Sequence, residues 1–381
     1  MAVYLDNAAT SFPKPAAVYD KLKGYLERFG ACPGRGSYQM AREAEAVVGE
    51  TRQLLSELFG AKDPQRIAFT LNATDALNMG IKGVLTPGDH VVTTVMEHNS
   101  VTRPLNALEH AGQITVTRVQ ASPEGLVDPA DVQAAITDKT KLVAVVHASN
   151  VTGSIQPIDE IGQIVRKKER LFLVDAAQTA GSFPIDVKTS GIDLLAFPGH
   201  KGLMGPPGTG GLVVGERVTL SPWREGGTGV ESETPLQPEA YPLRMEAGSP
   251  NTLGIAALAE AVRFILQYGV EWIHQKKRQL TQNLLEGLEG IDSLVVHGPK
   301  SLDQRTSVIS VLLKGQSAQA VADLLDQKYQ IGVRAGLHCA PGVHQLLKTN
   351  PEGTVRISPG YFTKEEEIQL CIEALNEIAH D

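Results

Sequence analysis

At 381 residues the chain is long enough for two domains, or for one large α/β domain with a smaller partner, and it can bury a sizeable core. Its 42% hydrophobic and 20% charged residues, with 37 Gly and 22 Pro dispersed along the chain, match a globular enzyme and exclude disordered and collagen-like classes. A formal net charge of −8 without a long Lys/Arg run excludes the footprint of a nucleic-acid or membrane-surface partner, which leaves a small-molecule substrate as the expectation.

Residues 1–10 read as a short strand entering a turn and lack the charged start and apolar stretch of a signal peptide. No apolar segment reaches transmembrane length. The first fifteen residues, with their Pro and Asn, are too short for a domain and are expected to cross between two. From about residue 45 to residue 265, helical periods alternate with short apolar runs at Arg66 to Thr70, His90 to Val95, Ile114 to Val119, Leu142 to His147, Leu171 to Val174, Leu194 to Phe197 and Gly211 to Val214. Such runs, flanked by helical segments, read as βαβ units of a mostly parallel sheet buried on both faces, so the expected fold class is α/β. The remainder changes character. A helical stretch from Asn251 to Leu288 leads to a strand at Ser307 to Leu313, a helix around Ser317 to Gln327 and a final amphipathic helix, which implies a smaller α+β domain. In that last helix Ile368, Cys371, Ile372, Leu375 and Ile378 repeat at helical spacing, making Cys371 a core hydrophobe. The expected division is a large domain over 16–261 and a small one from 1–15 and 262–381.

Ligands of open parallel sheets bind beyond the carboxyl ends of the strands, so the residues just after each apolar run carry the chemistry. Ile67-Ala-Phe-Thr-Leu-Asn72-Ala-Thr74-Asp75 turns from strand to helix, and that N-terminus suits a phosphate, though plain capping by Asn72 or Thr74 fits as well. Met96-Glu97-His98 and His147-Ala-Ser-Asn150 also lie just past strands. An imidazole there can stack on a ring and exchange protons with substrate, and an amide such as Asn150 or Gln178 can bond a ring hydroxyl; either type can equally be structural. Leu171-Phe-Leu-Val-Asp175 delivers a carboxylate that can keep a pyridine nitrogen protonated, or cap a helix. Phe197-Pro-Gly-His-Lys201 places an amine after a strand, where burial lowers its pKa and favours a Schiff base with a carbonyl cofactor. These convergent strand ends point to a pyridoxal-phosphate enzyme with the cofactor on Lys201.

In the C-terminal part, Val333-Arg334-Ala-Gly-Leu-His338-Cys339-Ala-Pro341 precedes Arg356 in Thr354-Val-Arg-Ile. Arginine forks pair with carboxylates, and a cysteine beside Arg and His is drawn towards the thiolate. No metal is expected: His338, Cys339 and His344 lack the paired or thiolate-rich ligands of a metal site. Cys32, Cys339 and Cys371 cannot complete a disulfide framework, so a reducing cytoplasm is the expected setting. Cys32 reads as a structural or incidental loop thiol rather than a resolving one. The glycines of Gly205 to Gly211 lack the Gly-Lys-Ser/Thr ending of a phosphate loop.

Together, Tyr4-Leu-Asp-Asn-Ala-Ala-Thr10, Met96-Glu-His98, Ser149-Asn-Val-Thr-Gly153, Val174-Asp-Ala-Ala-Gln178, Gly199-His-Lys201, Glu246-Ala-Gly-Ser-Pro-Asn-Thr252 and Arg334-Ala-Gly-Leu-His-Cys339 resemble the class V aminotransferase family of fold-type I pyridoxal-phosphate enzymes, within it the cysteine desulfurase and selenocysteine lyase group. The resemblance covers nearly the whole chain. It implies that Lys201 carries pyridoxal 5'-phosphate, Asp175 pairs with the pyridinium, His98 stacks on the ring, and Asn150 and Gln178 face its hydroxyl oxygen. It further implies that Thr74 and His200 hold the phosphate, with Ser249 supplied by the other subunit of a homodimer. Arg356 and, secondarily, Arg334 match positions that bind the substrate carboxylate, alongside Asn150. Cys339 matches the sulfur-accepting cysteine. The implied reaction converts L-cysteine to L-alanine and leaves a persulfide on Cys339 for an acceptor protein in sulfur metabolism such as iron-sulfur cluster assembly.

Two departures stand out. Pro198 occupies a position where desulfurases commonly carry a phosphate-binding Ser, and the phosphate helix reads Asn-Ala-Thr-Asp rather than Gly-Thr-Thr-Glu. A selenocysteine lyase would use the same residues, whereas an aminotransferase, epimerase or simple C-S lyase would leave Cys339 without a covalent role. A non-enzymatic regulator or scaffold fits poorly with Lys201, Asp175, His98 and Cys339 all present.

Overall fold

The computed structural model describes residues 3–28 and 30–380. In chain order the strands are β1 (Val3–Tyr4), β2 (Ile67–Thr70), β3 (His90–Thr94), β4 (Thr115–Val119), β5 (Thr140–Val146), β6 (Leu171–Asp175), β7 (Leu194–Pro198), β8 (Gly210–Val214), β9 (Leu294–His297), β10 (Ile309–Leu313), β11 (Ile331–Gly332), β12 (Arg334–Gly336) and β13 (Thr354–Ile357). The helices are α1 (Ala16–Arg28), α2 (Gln39–Phe59), α3 (Ala73–Val84), α4 (Asn99–His110), α5 (Pro129–Ala135), α6 (Ile158–Lys167), α7 (Thr252–Tyr268), α8 (Val270–Leu288), α9 (Ala318–Tyr329), α10 (Pro341–Leu346) and α11 (Glu365–His380).

Each of the seven apolar runs of the first part forms a strand, with ends displaced by a residue or two. They build one sheet in the order β2-β8-β7-β6-β5-β3-β4. Only β8 runs antiparallel to its neighbours, so the sheet is mostly parallel. Period-two alternation explains why the inner runs are continuously buried, since both their faces are covered, whereas edge strand β4 exposes Thr115 and Thr117. Leu142, Ala144 and Leu173 pack with Leu77, Ile81 and Leu105 of α3 and α4 on one face. Val143, Val145 and Phe172 pack with Leu55, Ile161 and Leu258 of α2, α6 and α7 on the other.

The second sheet, β12-β13-β10-β9, is antiparallel throughout. Its Ile309, Val311, Val355 and Ile357 pack against Leu280, Leu284, Val321, Leu325, Ile368, Cys371 and Leu375 of α8, α9 and α11, so Cys371 is a core residue as its spacing predicts. Val3 and Leu5 join this cluster while β1 pairs with β11. A few residues later Ser11 N donates to His200 O at 3.0 Å, tying the N-terminal segment to the large sheet.

The helical stretch expected from Asn251 to Leu288 is two helices bent by 83°. Gly269 breaks it at φ 87, a left-handed conformation that glycine adopts without a side-chain clash. Among the described residues no single helix is long and apolar enough to cross a membrane. The expected boundary at 261–262 falls inside α7, whose Ala261, Val262 and Ile265 belong to the large core. We propose that the division lies within α8, between Ile273 of the large core and Leu280 of the small one.

Candidate active site

The carboxyl ends of β3, β5, β6 and β7 and the N-terminus of α3 open into one cleft of ≈ 90 Å³. Thr74, His98, Asn150, Asp175, Gln178, His200 and Lys201 all line it. Seven of the residues picked out by their strand-end positions thus meet at one point of the fold, where parallel sheets place ligands. The turn after β7 requires glycine at 199, because an added Cβ would stand 2.1 Å from Thr209 Oγ1. Gly199 N donates to Thr209 O at 2.7 Å, which sets the direction in which His200 and Lys201 leave the strand.

Asn72 caps α3, its Oδ1 accepting from Asp75 N at 2.9 Å. Capping is therefore Asn72's role, and Thr74 keeps its hydroxyl for the cleft and for Ser100 Oγ at 2.7 Å. Asp175 caps no helix, because the residues after it form turns; its Oδ1 accepts from Ala177 N at 2.9 Å. Burial pushes its carboxyl up, opposed by that N–H and by Lys201. Among the described residues no cation pairs with Asp175, and Lys201 Nζ makes no hydrogen bond or ion pair. Burial lowers the Lys201 amine to about 8; Asp175 opposes the shift, and Arg356 and Arg334 add to it.

His98 is the N-cap of α4, and its Nδ1 accepts from Ser100 N at 3.1 Å with Ser100 Oγ at 2.9 Å. With Nδ1 accepting, a neutral ring carries its proton on Nε2. Burial holds His98 down at about 4, helped by Lys201, Arg334 and Arg356, so the ring is neutral near pH 7. His200 is likewise lowered to about 4, first by burial, and its buried Nδ1 has no partner.

Arg356, Arg334, Cys339 and Ser249 lie outside the walls of this cleft, and three of them are tied to it. Arg356 Nη1 donates to Asn150 O at 3.2 Å, and Nη2 pairs with Asp6 Oδ1 at 2.6 Å. Arg334 stands opposite Arg356 across the β12–β13 pair. The exposed Cys339 sits on a tight loop, with His338 at φ 48 and Cys339 at φ 59. Two hydrogen bonds fasten that loop to the cleft: Asn150 Nδ2 to His338 O at 2.6 Å, and Asn99 N to Cys339 O at 2.8 Å. Ser249 is exposed and follows Glu246, which pairs with Arg52 at 2.7 Å.

The structure adds residues that sequence reasoning missed. Ser100 links His98 to Thr74, Asp6 pairs with Arg356, and Glu97 lies fully buried beside the cleft with Oε1 accepting from Thr94 Oγ1 and Val146 N. Asp6 and Glu97 stand inside motifs quoted for the resemblance, which is the signal that could have found them.

Residues 3–371 match the family described as aminotransferase class-V. A probable cysteine desulfurase of Methanothermobacter thermautotrophicus is 35% identical over 99% of this chain and 94% of its own length. That of Pyrococcus abyssi matches to the same extent. Among solved structures, the apo cysteine desulfurase of Thermococcus onnurineus is 33% identical with a TM-score of 0.93, covering 100% of this chain and 95% of its own. The Escherichia coli cysteine desulfurase in its S-sulfonic acid form is 25% identical with a TM-score of 0.89, at the same coverage. With a family match over nearly the whole length and relatives above 30% identity, the chain belongs to the class-V aminotransferase family.

Proposed function

We propose that the protein is a pyridoxal-phosphate-dependent cysteine desulfurase that converts L-cysteine to L-alanine and passes the sulfur to Cys339 as a persulfide. Members of the family depend on pyridoxal 5'-phosphate, and the residues of the cleft fit that group. A buried carboxylate without a cation, Asp175, suits a protonated ring nitrogen; an unpartnered amine, Lys201, suits an aldehyde; the buried unpartnered His200 Nδ1 and the Thr74 hydroxyl suit a phosphate. Asn150 and Gln178 each commit one side-chain N–H, to His338 O and to Ala8 O at 3.2 Å, and keep a second for the ring oxygen. When bound, the cofactor supplies a carbonyl that captures the substrate amine and a ring that accepts electrons.

The chain's own residues supply the rest. An amine lowered to about 8 is partly neutral at physiological pH, so Lys201 can take the substrate's α-proton. Arg356 and Arg334 hold the carboxylate, and Asn150 joins them on the substrate side. The Cys339 thiolate attacks the substrate sulfur, the carbon-sulfur bond breaks, and an S–S bond forms on Cys339. The neutral His98 Nε2–H gives the β-carbon its proton, which completes alanine. The balance is L-cysteine plus a Cys339 thiol giving L-alanine plus a Cys339 persulfide. The observation that carries this reading is the fastening of the Cys339 loop to Asn150 and Asn99, beside the cleft that holds Lys201, Asp175 and His98.

We also propose a cytoplasmic homodimer whose partner subunit supplies the exposed Ser249 to the phosphate, and a sulfur-acceptor protein that discharges the persulfide. The test measures alanine and sulfide from L-cysteine with reductant, for wild type and Cys339→Ala, with L-selenocysteine alongside. Alanine formation that collapses in Cys339→Ala supports the proposal. Pyruvate or an epimer as product, or full turnover without Cys339, overturns it. Faster turnover of L-selenocysteine that survives Cys339→Ala reassigns the protein as a selenocysteine lyase.

A further inference from the structure

Four donors converge on one oxygen, the carbonyl of His200, which belongs to the peptide that leads into Lys201. Ser11 N donates to it at 3.0 Å, Thr10 Oγ1 at 3.1 Å, Ser11 Oγ at 3.2 Å and Lys14 Nζ at 3.4 Å. All four come from the segment between β1 and α1. The network closes on itself, because Lys14 Nζ also donates to Ser11 O at 2.9 Å and to Ser11 Oγ at 3.1 Å. The three hydrogens of the ammonium are thereby committed, and the Ser11 hydroxyl accepts from Lys14 while it donates to His200.

A carbonyl oxygen has two lone pairs, and the Ser11 N–H alone would tie this segment to the large sheet. Two hydroxyls and an ammonium are directed to the same atom beyond that need. Lys14 is half-buried, and burial lowers it to about 8; its charge still reaches His200, whose lowering is led by burial, with Lys201 and Lys14 adding to it. The neighbouring positions of the turn are held from other directions, Gly199 N donating to Thr209 O at 2.7 Å and Met204 N to Lys201 O at 2.8 Å. Because the peptide between His200 and Lys201 is planar, fixing its carbonyl also fixes the direction in which the chain enters Lys201. The same segment touches other groups of the site: Asp6 Oδ1 pairs with Arg356 Nη2 at 2.6 Å, and Ala8 O accepts from Gln178 Nε2 at 3.2 Å.

We propose that Thr10, Ser11 and Lys14 are positioning residues for the Lys201 amine, clamping the His200 carbonyl so that Lys201 leaves its turn towards the cleft it lines. None of the three lines that cleft, so they act through Lys201 and not on cofactor or substrate. The inference rests on Lys201 being the cofactor lysine, and not on which reaction follows.

Two paired substitutions test it. Thr10→Val with Ser11→Ala removes both hydroxyls and leaves the backbone N–H, whereas Thr10→Ser with Ser11→Thr exchanges the two residues and keeps both hydroxyls. Pyridoxal 5'-phosphate is titrated into each apoprotein, its binding is followed by absorbance, and the rise in melting temperature that it causes is recorded. The first pair should weaken binding about tenfold and shrink that rise, and the second should stay within about twofold of wild type. Lower apoprotein stability with unchanged binding overturns the proposal, because it marks the contacts as a tie for the N-terminal segment alone. Equal damage in both pairs overturns it as well. Should the first pair fail to fold, Ser11→Ala alone decides, with a loss of about threefold expected. A wild type that takes up no pyridoxal 5'-phosphate overturns the cofactor reading, and the clamp falls with it; tight binding by wild type and by Thr10→Val with Ser11→Ala alike sinks the clamp alone.

Discussion

Glu97 offers a sharp test of the site's electrostatics because its charge and its hydrogen bonds can be removed separately. It is 0% exposed, and its Oε1 accepts from Thr94 Oγ1 at 2.7 Å and from Val146 N at 3.0 Å, while Oε2 is buried without a partner. Burial pushes the carboxyl up to about 8; the two donors oppose the shift, and Asp175 adds to it. A protonated Glu97 beside the cleft puts no second negative charge next to Asp175. Glu97→Ala strands two buried donors, at about 1–3 kcal/mol each, and opens a cavity, so a loss of about 4 kcal/mol is expected. Glu97→Gln keeps a neutral acceptor at the Oε1 position and should lose about 1 kcal/mol or less near pH 4.5, before linkage costs wild type stability. The sign of the pH dependence follows from linkage. With its folded value raised above 4.5, Glu97 keeps a proton that the unfolded chain releases, so its contribution to wild-type stability falls between about pH 4.5 and about pH 8. The Gln variant lacks that loss and should gain on wild type across the window. Urea midpoints of the cofactor-loaded proteins, followed by circular dichroism at both ends of the window, measure this. A Glu97→Gln variant as damaged as Glu97→Ala, or a gap between wild type and Gln that ignores pH, would refute the reasoning.

Three further predictions concern the supports of the proposed catalytic groups. Ser100→Ala removes the 2.9 Å contact to His98 Nδ1 and the 2.7 Å contact to Thr74 but leaves the backbone N–H bond, so kcat/KM for L-cysteine should fall about fivefold, for about 1 kcal/mol; unchanged initial rates would dismiss the link. Asp6→Asn leaves the Arg356 guanidinium, 1% exposed, without its carboxylate; because the Asp6 side chain is itself 20% exposed, the expected cost is about 2 kcal/mol rather than the larger figure for a fully buried pair, read as a lower urea midpoint. Gly199→Ala drives a Cβ to 2.1 Å from Thr209 Oγ1, and the Lys201 turn must shift; a stability loss of about 2 kcal/mol and weaker cofactor retention, seen by absorbance after dialysis, are expected.

The fold was legible wherever burial on both faces forces an uninterrupted apolar run, because that constraint is local. Leu171-Phe-Leu-Val-Asp175 and its companions became strands for this reason, and the residue that ends each run is necessarily at the sheet's edge. That is why Thr74, His98, Asn150, Asp175 and Lys201 could be grouped before any contact was known. The break at Gly269 was less legible, since a lone glycine in a helical pattern is compatible with a continuous helix and only the packing of α7 on one core and of α8 across both demands the bend.

Roles that depend on a partner far away in sequence were not legible. Asp6 precedes Arg356 by nearly the whole chain, and nothing near Asp6 announces a cation; the pairing exists because β1 lies beside β11 and Asp6 bridges to Ser358, just past the end of the strand β13 that carries Arg356. Ser100 reads locally as the second residue of a helix, and it becomes a link only because α3 delivers Thr74 to the same point. Lys277 is the limiting case, lying in Gln275-Lys-Lys-Arg-Gln279, a charged run that sequence alone assigns to a solvated helix face. It is instead half-buried, lining small cavities with Thr306 and Ser307 of the segment that leads into β10. Two neighbours in that run, Lys276 and Arg278, find an aromatic ring and Asp303, whereas Lys277 lines the small cavities beside the cleft. Identity and spacing cannot distinguish these three cations, but the surrounding packing gives each a different task.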